Sequence, residues 1–231
     1  MAHKSKRIIE LEKKLSHCEG SLLPLDEAVE LMLTMGSAKF SESFDVVYSL
    51  GLNPKKSDEN IKANIQLPHG LGKSIKVAVF AIGDQVVKAE KAGADRVGLD
   101  DLAADMKKGE TDYDVVIATQ ETMPTVGKLG QILGPKGLMP NLKLGTVTSN
   151  VAEAVKLAKA GQFTAKNDKN GLVHGSIGKS NFSKEHIIEN IRALTAELKR
   201  LKPSVSKGVY MKYLKISLTM SPSISVDVHS I

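Results

Sequence analysis

The sequence contains almost no cysteine and few aromatic residues. It has one Cys among 231 residues, no Trp, five Phe and four Tyr. A single thiol, Cys18, excludes an internal disulfide framework and any cysteine-cluster zinc or iron–sulfur site, which favours a reducing, cytosolic setting. The six histidines lack the spacing of a metal-binding helix, so we expect no metal and no cofactor. With 4% aromatic residues, the chain is a poor candidate for stacking single-stranded nucleic acid on aromatic platforms.

Long apolar runs are also absent, so the sequence predicts no membrane span. The basic start, residues 1–7, resembles the first part of a secretion signal. Glu10 and Glu12, however, interrupt what would have to be its apolar segment. We therefore expect a soluble chain that is neither secreted nor bound to a membrane.

Positive charge is concentrated in the last third of the chain. Segments 1–68 and 69–158 have net charges of −1 and 0, whereas segment 159–231 carries 12 basic and 5 acidic side chains. A polyanion, such as a structured RNA read by shape and phosphate, is the natural partner for this excess. The alternative is a lysine-rich surface that only keeps the protein soluble.

Two hydrophobic patterns indicate two kinds of sheet. Apolar residues alternate with mostly polar ones in 44–50, 61–67 and 214–220, which predicts strands with one solvent-facing side. Segments 77–82 and 115–118 are continuous apolar runs, typical of parallel strands covered on both faces.

Helical patterns lie between and around these strands. In the last one, Ser183 is the expected N-cap, and apolar residues at helical spacing form a stripe that belongs to the core. The predicted helices are 4–15, 25–35, 84–92, 102–108, a segment leading to 132–133, 151–160 and 183–201.

The predicted fold class is α/β with two domains. Half-exposed strands occur at both ends of the chain, so segments 1–68 and 160–231 are expected to form one split α+β domain. Segment 69–159 is expected to be a Rossmann-like three-layer α/β domain inserted into it. Two chain crossings then make a hinge. The predicted hinge residues are Pro68, Gly70 and Gly161.

Two short motifs approach enzyme patterns without matching them. Gly72-Lys73-Ser74 resembles the end of a phosphate-binding P-loop, but Leu67 stands where the pattern needs its first glycine. Segment 174–178 resembles a nucleophile elbow, but His174 replaces the required glycine. The first motif, beside buried parallel strands, leaves a nucleotide-binding α/β enzyme as an alternative function.

A second alternative is a KH-type binder of single-stranded RNA. Segments 127–130 and 175–178 both match the GxxG pattern of the KH loop. With 19 glycines in the chain, such four-residue matches carry little specificity.

Several longer motifs occur in a fixed order along almost the whole chain. They are AKFSE at 38–42, LGLNPKKSD at 50–58, LPHGLGK at 67–73, AGAD at 92–95, LGPKGLMPN at 133–141, GTV at 145–147, NDK at 167–169 and TMSPS at 219–223. On these motifs the chain resembles the bacterial family of large-subunit ribosomal protein one, over roughly residues 3–230. Agreement of this extent is far more specific than any single short motif above.

The resemblance implies a structural, non-enzymatic protein of the ribosome in the cytoplasm. It implies that the split outer domain binds folded rRNA of the mobile stalk beside the tRNA exit site. It further implies a part in the release of deacylated exit-site tRNA and, in many bacteria, repression of translation from the protein's own operon mRNA. Off the ribosome we expect a monomer.

The resemblance also implies a set of RNA contacts. Lysine ammonium groups suit phosphates, and hydroxyl groups suit sugars and 2′-hydroxyls. Glu42 is expected to accept a hydrogen bond from a base or hydroxyl, or to orient Lys39. For Phe40 and Met220 the alternative is that they cap the core of the sheet. The implied contact residues are Lys39, Phe40, Glu42, Ser43, Lys166, His174, Lys179, Thr219, Met220 and Ser221.

Three positions depart from the family pattern. Ser221 replaces a usual glycine, so we expect the backbone to approach RNA less closely there. Leu142 replaces a usual proline, and Ser149 lies in a segment that lacks another. We expect these two departures to change loop stiffness in the inserted domain more than RNA binding.

Overall fold

A computed structural model describes residues 6–15, 22–36, 38–109, 111–204, 206 and 208–231. Cys18 and the first two residues of the predicted helix 4–15 lie outside this part. The helices are α1 (Lys6–Leu15), α2 (Leu25–Met35), α3 (Asp84–Lys91), α4 (Asp100–Lys108), α5 (Met123–Gly127), α6 (Gly130–Leu133), α7 (Val151–Lys159) and α8 (Lys184–Arg200). The strands are β1 (Ser43–Leu50), β2 (Lys62–Gln66), β3 (Val77–Phe80), β4 (Arg96–Gly98), β5 (Val115–Ala118), β6 (Gln162–Lys166), β7 (Leu172–Lys179), β8 (Met211–Leu218) and β9 (Ile224–Val226).

Contacts within the chain divide it into two units. The outer unit combines the described residues up to Gly72 with Phe163–Ile231, and the inserted unit is Lys73–Gln162. The boundaries predicted from the sequence, after residues 68 and 159, lie a few residues earlier. That each segment folds as an independent domain stays a prediction.

The outer unit is built on an antiparallel four-stranded sheet in the order β7-β1-β8-β9. Along β1, Phe44, Val46 and Tyr48 are buried and alternate with half-buried residues, so one face of the sheet meets the core. Helices α2 and α8 pack against this sheet. The α+β character predicted for the outer segments is confirmed. Strands β6, β7 and β9 were not predicted.

Helix α8 has the predicted cap and core stripe. The Ser183 hydroxyl accepts a hydrogen bond from the His186 N–H at 3.3 Å, which satisfies one of the unpaired donors at the helix start. The apolar stripe is buried. Its fully buried members are Ile187, Ile191, Leu194 and Leu198.

The inserted unit is a three-layer α/β structure, as predicted. Its parallel sheet has the order β4-β3-β5, and all four residues of β3 are buried. One apolar cluster joins the sheet to α4, α5 and α6, and another joins the opposite face to α3 and α7. Covering on both faces explains the continuous apolar runs in the sequence. Strand β4 was not predicted, because it has only three residues.

The predicted hinge segment 68–70 is hydrogen-bonded to helix α8. The buried Asn190 side chain accepts from the His69 N–H at 3.1 Å and donates to the carbonyl oxygens of Gly70 and Ile177 at 3.1 and 2.9 Å. Gly70 has a φ of 63°, and Gly161 has a φ of 90°. The hinge role of Pro68, Gly70 and Gly161 stays a prediction.

Among the described helices, none is both long enough and apolar enough to cross a bilayer.

Replacing Asn190 with alanine is expected to lower the free energy of unfolding by about 3 kcal/mol, because three backbone groups lose their partner in a buried setting. Urea denaturation measures this change. Asn181→Ala, at an exposed residue just before α8, is the control and should change stability by less than about 0.5 kcal/mol. Equal stabilities of the two variants would contradict the anchoring role of Asn190.

Candidate nucleic-acid interface

One end of the four-stranded sheet brings three of the predicted contact residues together. Ser43 begins β1, Lys179 ends β7 and Thr219 follows β8. The Ser43 N–H donates to the Thr219 hydroxyl at 2.9 Å, and the Lys179 ammonium donates to the Ser43 hydroxyl at 2.9 Å. The strand register, with Ser43 opposite Lys179, produces this contact.

Two apolar side chains lie exposed in the segments next to this sheet end. Phe40 is 53% exposed and Met220 is 51% exposed. The alternative that these side chains cap the core of the sheet is therefore wrong. Both side chains are therefore available to a ligand at this end of the sheet.

Glu42 is buried, in contrast to Phe40, with only 2% of its surface exposed. One carboxylate oxygen accepts from the Ala38 N–H at 3.1 Å, and the other accepts from the Met220 N–H at 2.9 Å. The Arg7 guanidinium lies 3.5 Å from the first oxygen. The carboxylate therefore faces the protein, and it links the segment that carries Phe40 to the turn that carries Met220.

Sequence reasoning missed two residues that support this arrangement. Arg7 lies in α1, 35 positions before Glu42, and no local pattern connects them. Ser180 donates its N–H to the Glu42 carbonyl oxygen at 2.8 Å, and its hydroxyl accepts from the Glu42 N–H at 3.1 Å. These bonds fix Glu42 to the residue that directly follows β7.

The side chain of Ser221, which replaces the usual glycine of the family, forms hydrogen bonds within the protein. Its hydroxyl accepts from the Leu218 N–H at 3.1 Å and donates to the Met32 sulfur at 3.3 Å. Its backbone lies outside the left-handed region, so glycine is not required there. The other two departures lie in the inserted unit, where Leu142 begins an exposed 3₁₀ turn and Ser149 lies just before α7.

Lys166 and His174 lie outside this sheet-end group. Lys166 ends β6 in a separate two-stranded sheet, and together with Lys62 and Lys169 it lines a cavity of about 450 Å³. His174 is exposed in β7, opposite Val47 of β1.

The turn between β6 and β7 is ordered by Asp168. Its carboxylate accepts from the Leu172 N–H at 2.9 Å and from the Asn170 N–H at 2.8 Å. These backbone donors lower the pKa of Asp168, and the Leu172 N–H has the largest effect. The backbone donors thus hold the Asp168 carboxylate within the turn, two positions after Lys166.

The motifs that suggested other functions have structural roles. Lys73 forms an ion pair with Asp114 at 2.5 Å and leads into strand β3, whereas a P-loop leads into a helix. Segment 175–178 is part of β7, so it forms neither a nucleophile elbow nor a KH loop. Segment 127–130 joins α5 to α6. In the described parts of the chain, no group of three or more His, Cys, Asp or Glu side chains could hold a metal ion.

Comparisons with known proteins agree with the sequence motifs. The model of the ribosomal protein L1p/L10e family matches residues 32–222. The chain is 55% identical over 204 residues to the large ribosomal subunit protein uL1 of Coxiella burnetii, which covers 88% of each chain. It is 51% identical to uL1 of Thioalkalivibrio sulfidiphilus and 49% identical to uL1 of Pseudomonas putida, over all of this chain and 99% of each relative. The chain therefore belongs to the ribosomal protein L1 family, whose members are structural RNA-binding proteins of the large ribosomal subunit and not enzymes.

Proposed function

We propose that the chain binds folded rRNA of the large-subunit stalk through a sheet-end cluster. The observation that carries the proposal is that the exposed Phe40 and Met220 are held beside a lysine by a buried carboxylate. Association with rRNA in the large subunit, and a role in translation in the cytoplasm, follow from family membership. The sheet-end cluster comprises Phe40, Ser43, Lys179, Thr219 and Met220.

Each member of the cluster has a role suited to RNA. The Lys179 ammonium has three donors and gives one to Ser43, so two are left for phosphate oxygens. The Thr219 hydroxyl accepts from the Ser43 N–H at 2.9 Å and donates to the Ser43 carbonyl oxygen at 3.4 Å, so its second lone pair is left to accept from a ribose 2′-hydroxyl. Phe40 and Met220 offer apolar surface to a ribose or base face. Lys39, exposed next to Phe40, adds a second cation.

We assign Glu42 a positioning role in place of a direct RNA contact. Its two oxygens accept backbone N–H groups from the two segments that carry the exposed apolar side chains. A carboxylate at the surface would repel phosphate, whereas this one is buried and its charge is offset by two donors and the Arg7 guanidinium. The binding surface is thereby formed before RNA arrives.

Further parts of the proposal rest on the family resemblance. The outer unit is proposed to hold the primary rRNA site without help from the inserted unit, and the chain is proposed to be a monomer off the ribosome. The stalk that it forms is proposed to assist release of deacylated tRNA from the exit site. Binding of a similar fold in its own operon mRNA by the same cluster is proposed to repress translation.

Affinity for a folded stalk-rRNA transcript is expected to fall steeply with salt. If Lys39, Lys166 and Lys179 each neutralise one phosphate, the log–log slope should be about −2 to −3. Filter binding between 50 and 300 mM salt measures it, with an unpaired oligonucleotide as competitor. A flat response would contradict phosphate binding, and equal competition by the unpaired RNA would favour a KH-type binder. A chain with residues 73–162 replaced by a short linker should show the same slope.

Phe40→Ala is expected to weaken binding to the transcript about tenfold, because an exposed ring that packs on a base or ribose is lost. Leu22→Ala, at another exposed apolar residue of the outer unit, is the matched control and should bind normally. Phe40→Ala should also lose affinity for the operon leader mRNA if that RNA binds the same cluster. Normal rRNA binding by Phe40→Ala would place the site elsewhere.

Glu42→Gln is expected to weaken RNA binding about tenfold and to lower the free energy of unfolding by about 1–3 kcal/mol. The amide keeps one acceptor oxygen, so one of the two backbone N–H groups loses its partner. Electrostatics alone predicts the opposite for binding, since the substitution removes a negative charge near the site. A Kd that is unchanged or tighter, measured where the variant is fully folded, would therefore refute the positioning role.

A further inference from the structure

The four-stranded sheet has a second face, opposite the core, that the sheet-end cluster does not use. Strand alternation turns Leu214, Ile216 and Leu218 of β8 into the core, where all three are buried. Their neighbours Tyr213 and Lys215 are exposed. We call this the outer sheet face. Its residues are Asp45 and Val47 of β1, His174 and Ser176 of β7, and Tyr213, Lys215 and Ser217 of β8.

The strand register arranges these side chains in rows across the sheet. Asp45 lies opposite both Ser176 and Ser217, and the next row places Val47 opposite both His174 and Lys215. The row at the sheet end holds Ser43 and Lys179, which belong to the sheet-end cluster. The outer sheet face is thus continuous with the proposed RNA site. Thr219 lies six residues beyond Tyr213, so the two are about 20 Å apart along the strand.

Charge on the outer sheet face is suited to RNA. Lys215 of β8 and Lys179 of β7 lie on either side of β1, and the exposed His174 lies on the same strand as Lys179. Asp45 is the acidic member of the face. It is half-buried, with Ser176 and Ser217 opposite it on the two adjacent strands, and burial raises the pKa of its carboxyl group. Lys215 is the exposed lysine of the defined face, and Lys179 lies at the sheet end.

Tyr213 supplies the aromatic surface. Its side chain is 40% exposed. Among the described aromatic residues of the outer unit, Phe40 and Tyr213 are the ones with exposed side chains. The Lys215 ammonium lies 5.8 Å from the centre of the Tyr213 ring. A ring with a cation beside it can hold a base or ribose against the ring while the cation meets the adjoining phosphate.

We infer that the RNA-binding surface extends from the sheet-end cluster along the outer sheet face to Tyr213 and Lys215. The ligand is a nucleotide of the same folded rRNA, with its base or ribose on the Tyr213 ring and its phosphate at Lys215. The cores of protein–protein interfaces are depleted in charged residues, whereas this face carries Lys215 beside the Tyr213 ring in its centre, which favours a nucleotide over a protein partner. This inference rests on the proposed function.

Four variants of the full chain test the inference with the folded stalk-rRNA transcript as the probe. Tyr213→Ser should weaken binding about tenfold, whereas Tyr213→Phe, which keeps the ring, should bind within about twofold of the unsubstituted chain. Lys215→Gln should weaken binding and make the log–log salt slope shallower by about one. Lys212→Gln is the control, since this exposed lysine of the same strand lies at a cavity with Asn53 and Lys56. It should leave the slope unchanged.

The outcomes separate this inference from the proposed function. If Tyr213→Ser and Lys215→Gln bind normally while Phe40→Ala is weakened, the RNA surface ends at the sheet-end cluster and the inference is wrong. If the unsubstituted chain does not bind the transcript, both proposals fail. A photo-crosslinking residue at position 213 gives a second readout that does not depend on truncating the side chain. Crosslinking to the transcript is expected there, and its absence, with crosslinking at position 40 intact, would overturn the inference.

Discussion

The pairing of strand β1 with both β7 and β8 is the constraint on which the rest of this structure depends. It joins a strand from the first third of the chain to two strands from the last third, with partners more than 120 positions apart in sequence. Because strands from both ends of the chain pair in one sheet, the middle of the chain forms a separate unit, Lys73–Gln162. The same register brings Ser43 into contact with Lys179 and Thr219. The candidate site is thus a direct product of strand pairing.

Glu42 fixes the two segments that lie next to these paired strands. A buried carboxylate is costly unless donors surround it, and here backbone N–H groups from two separate segments and one guanidinium do so. Those segments present Phe40 and Met220 to solvent. The positions of Phe40 and Met220 in the proposed binding surface therefore depend on one hydrogen-bonded group. Because the surface is ordered in advance, the proposed binding of RNA would cost less conformational entropy.

The chemistry of this surface fits a partner recognised by shape. Lysines and hydroxyls contact phosphates and sugars, which position the RNA without reading its sequence. A few exposed apolar side chains add contacts at defined points of the sheet. The low aromatic content of the chain is consistent with this mode of recognition. Recognition by shape needs one or two aromatic rings and no continuous stacking platform.

Local patterns in the sequence determined the helices of the core, the buried strands of the inserted unit and the half-exposed β1 and β8, because burial follows each element's own periodicity. The excess of positive charge in the last third also pointed to RNA. Strand β7 was not predicted because Gly175 and Gly178 disfavour a strand. It forms because it pairs with β1 and because the Phe163 ring packs on Gly175. Only the tertiary structure decided that Glu42 faces inward and that Lys179 meets Ser43. These contacts join residues 136 to 178 positions apart, and no local pattern encodes a partner at that distance.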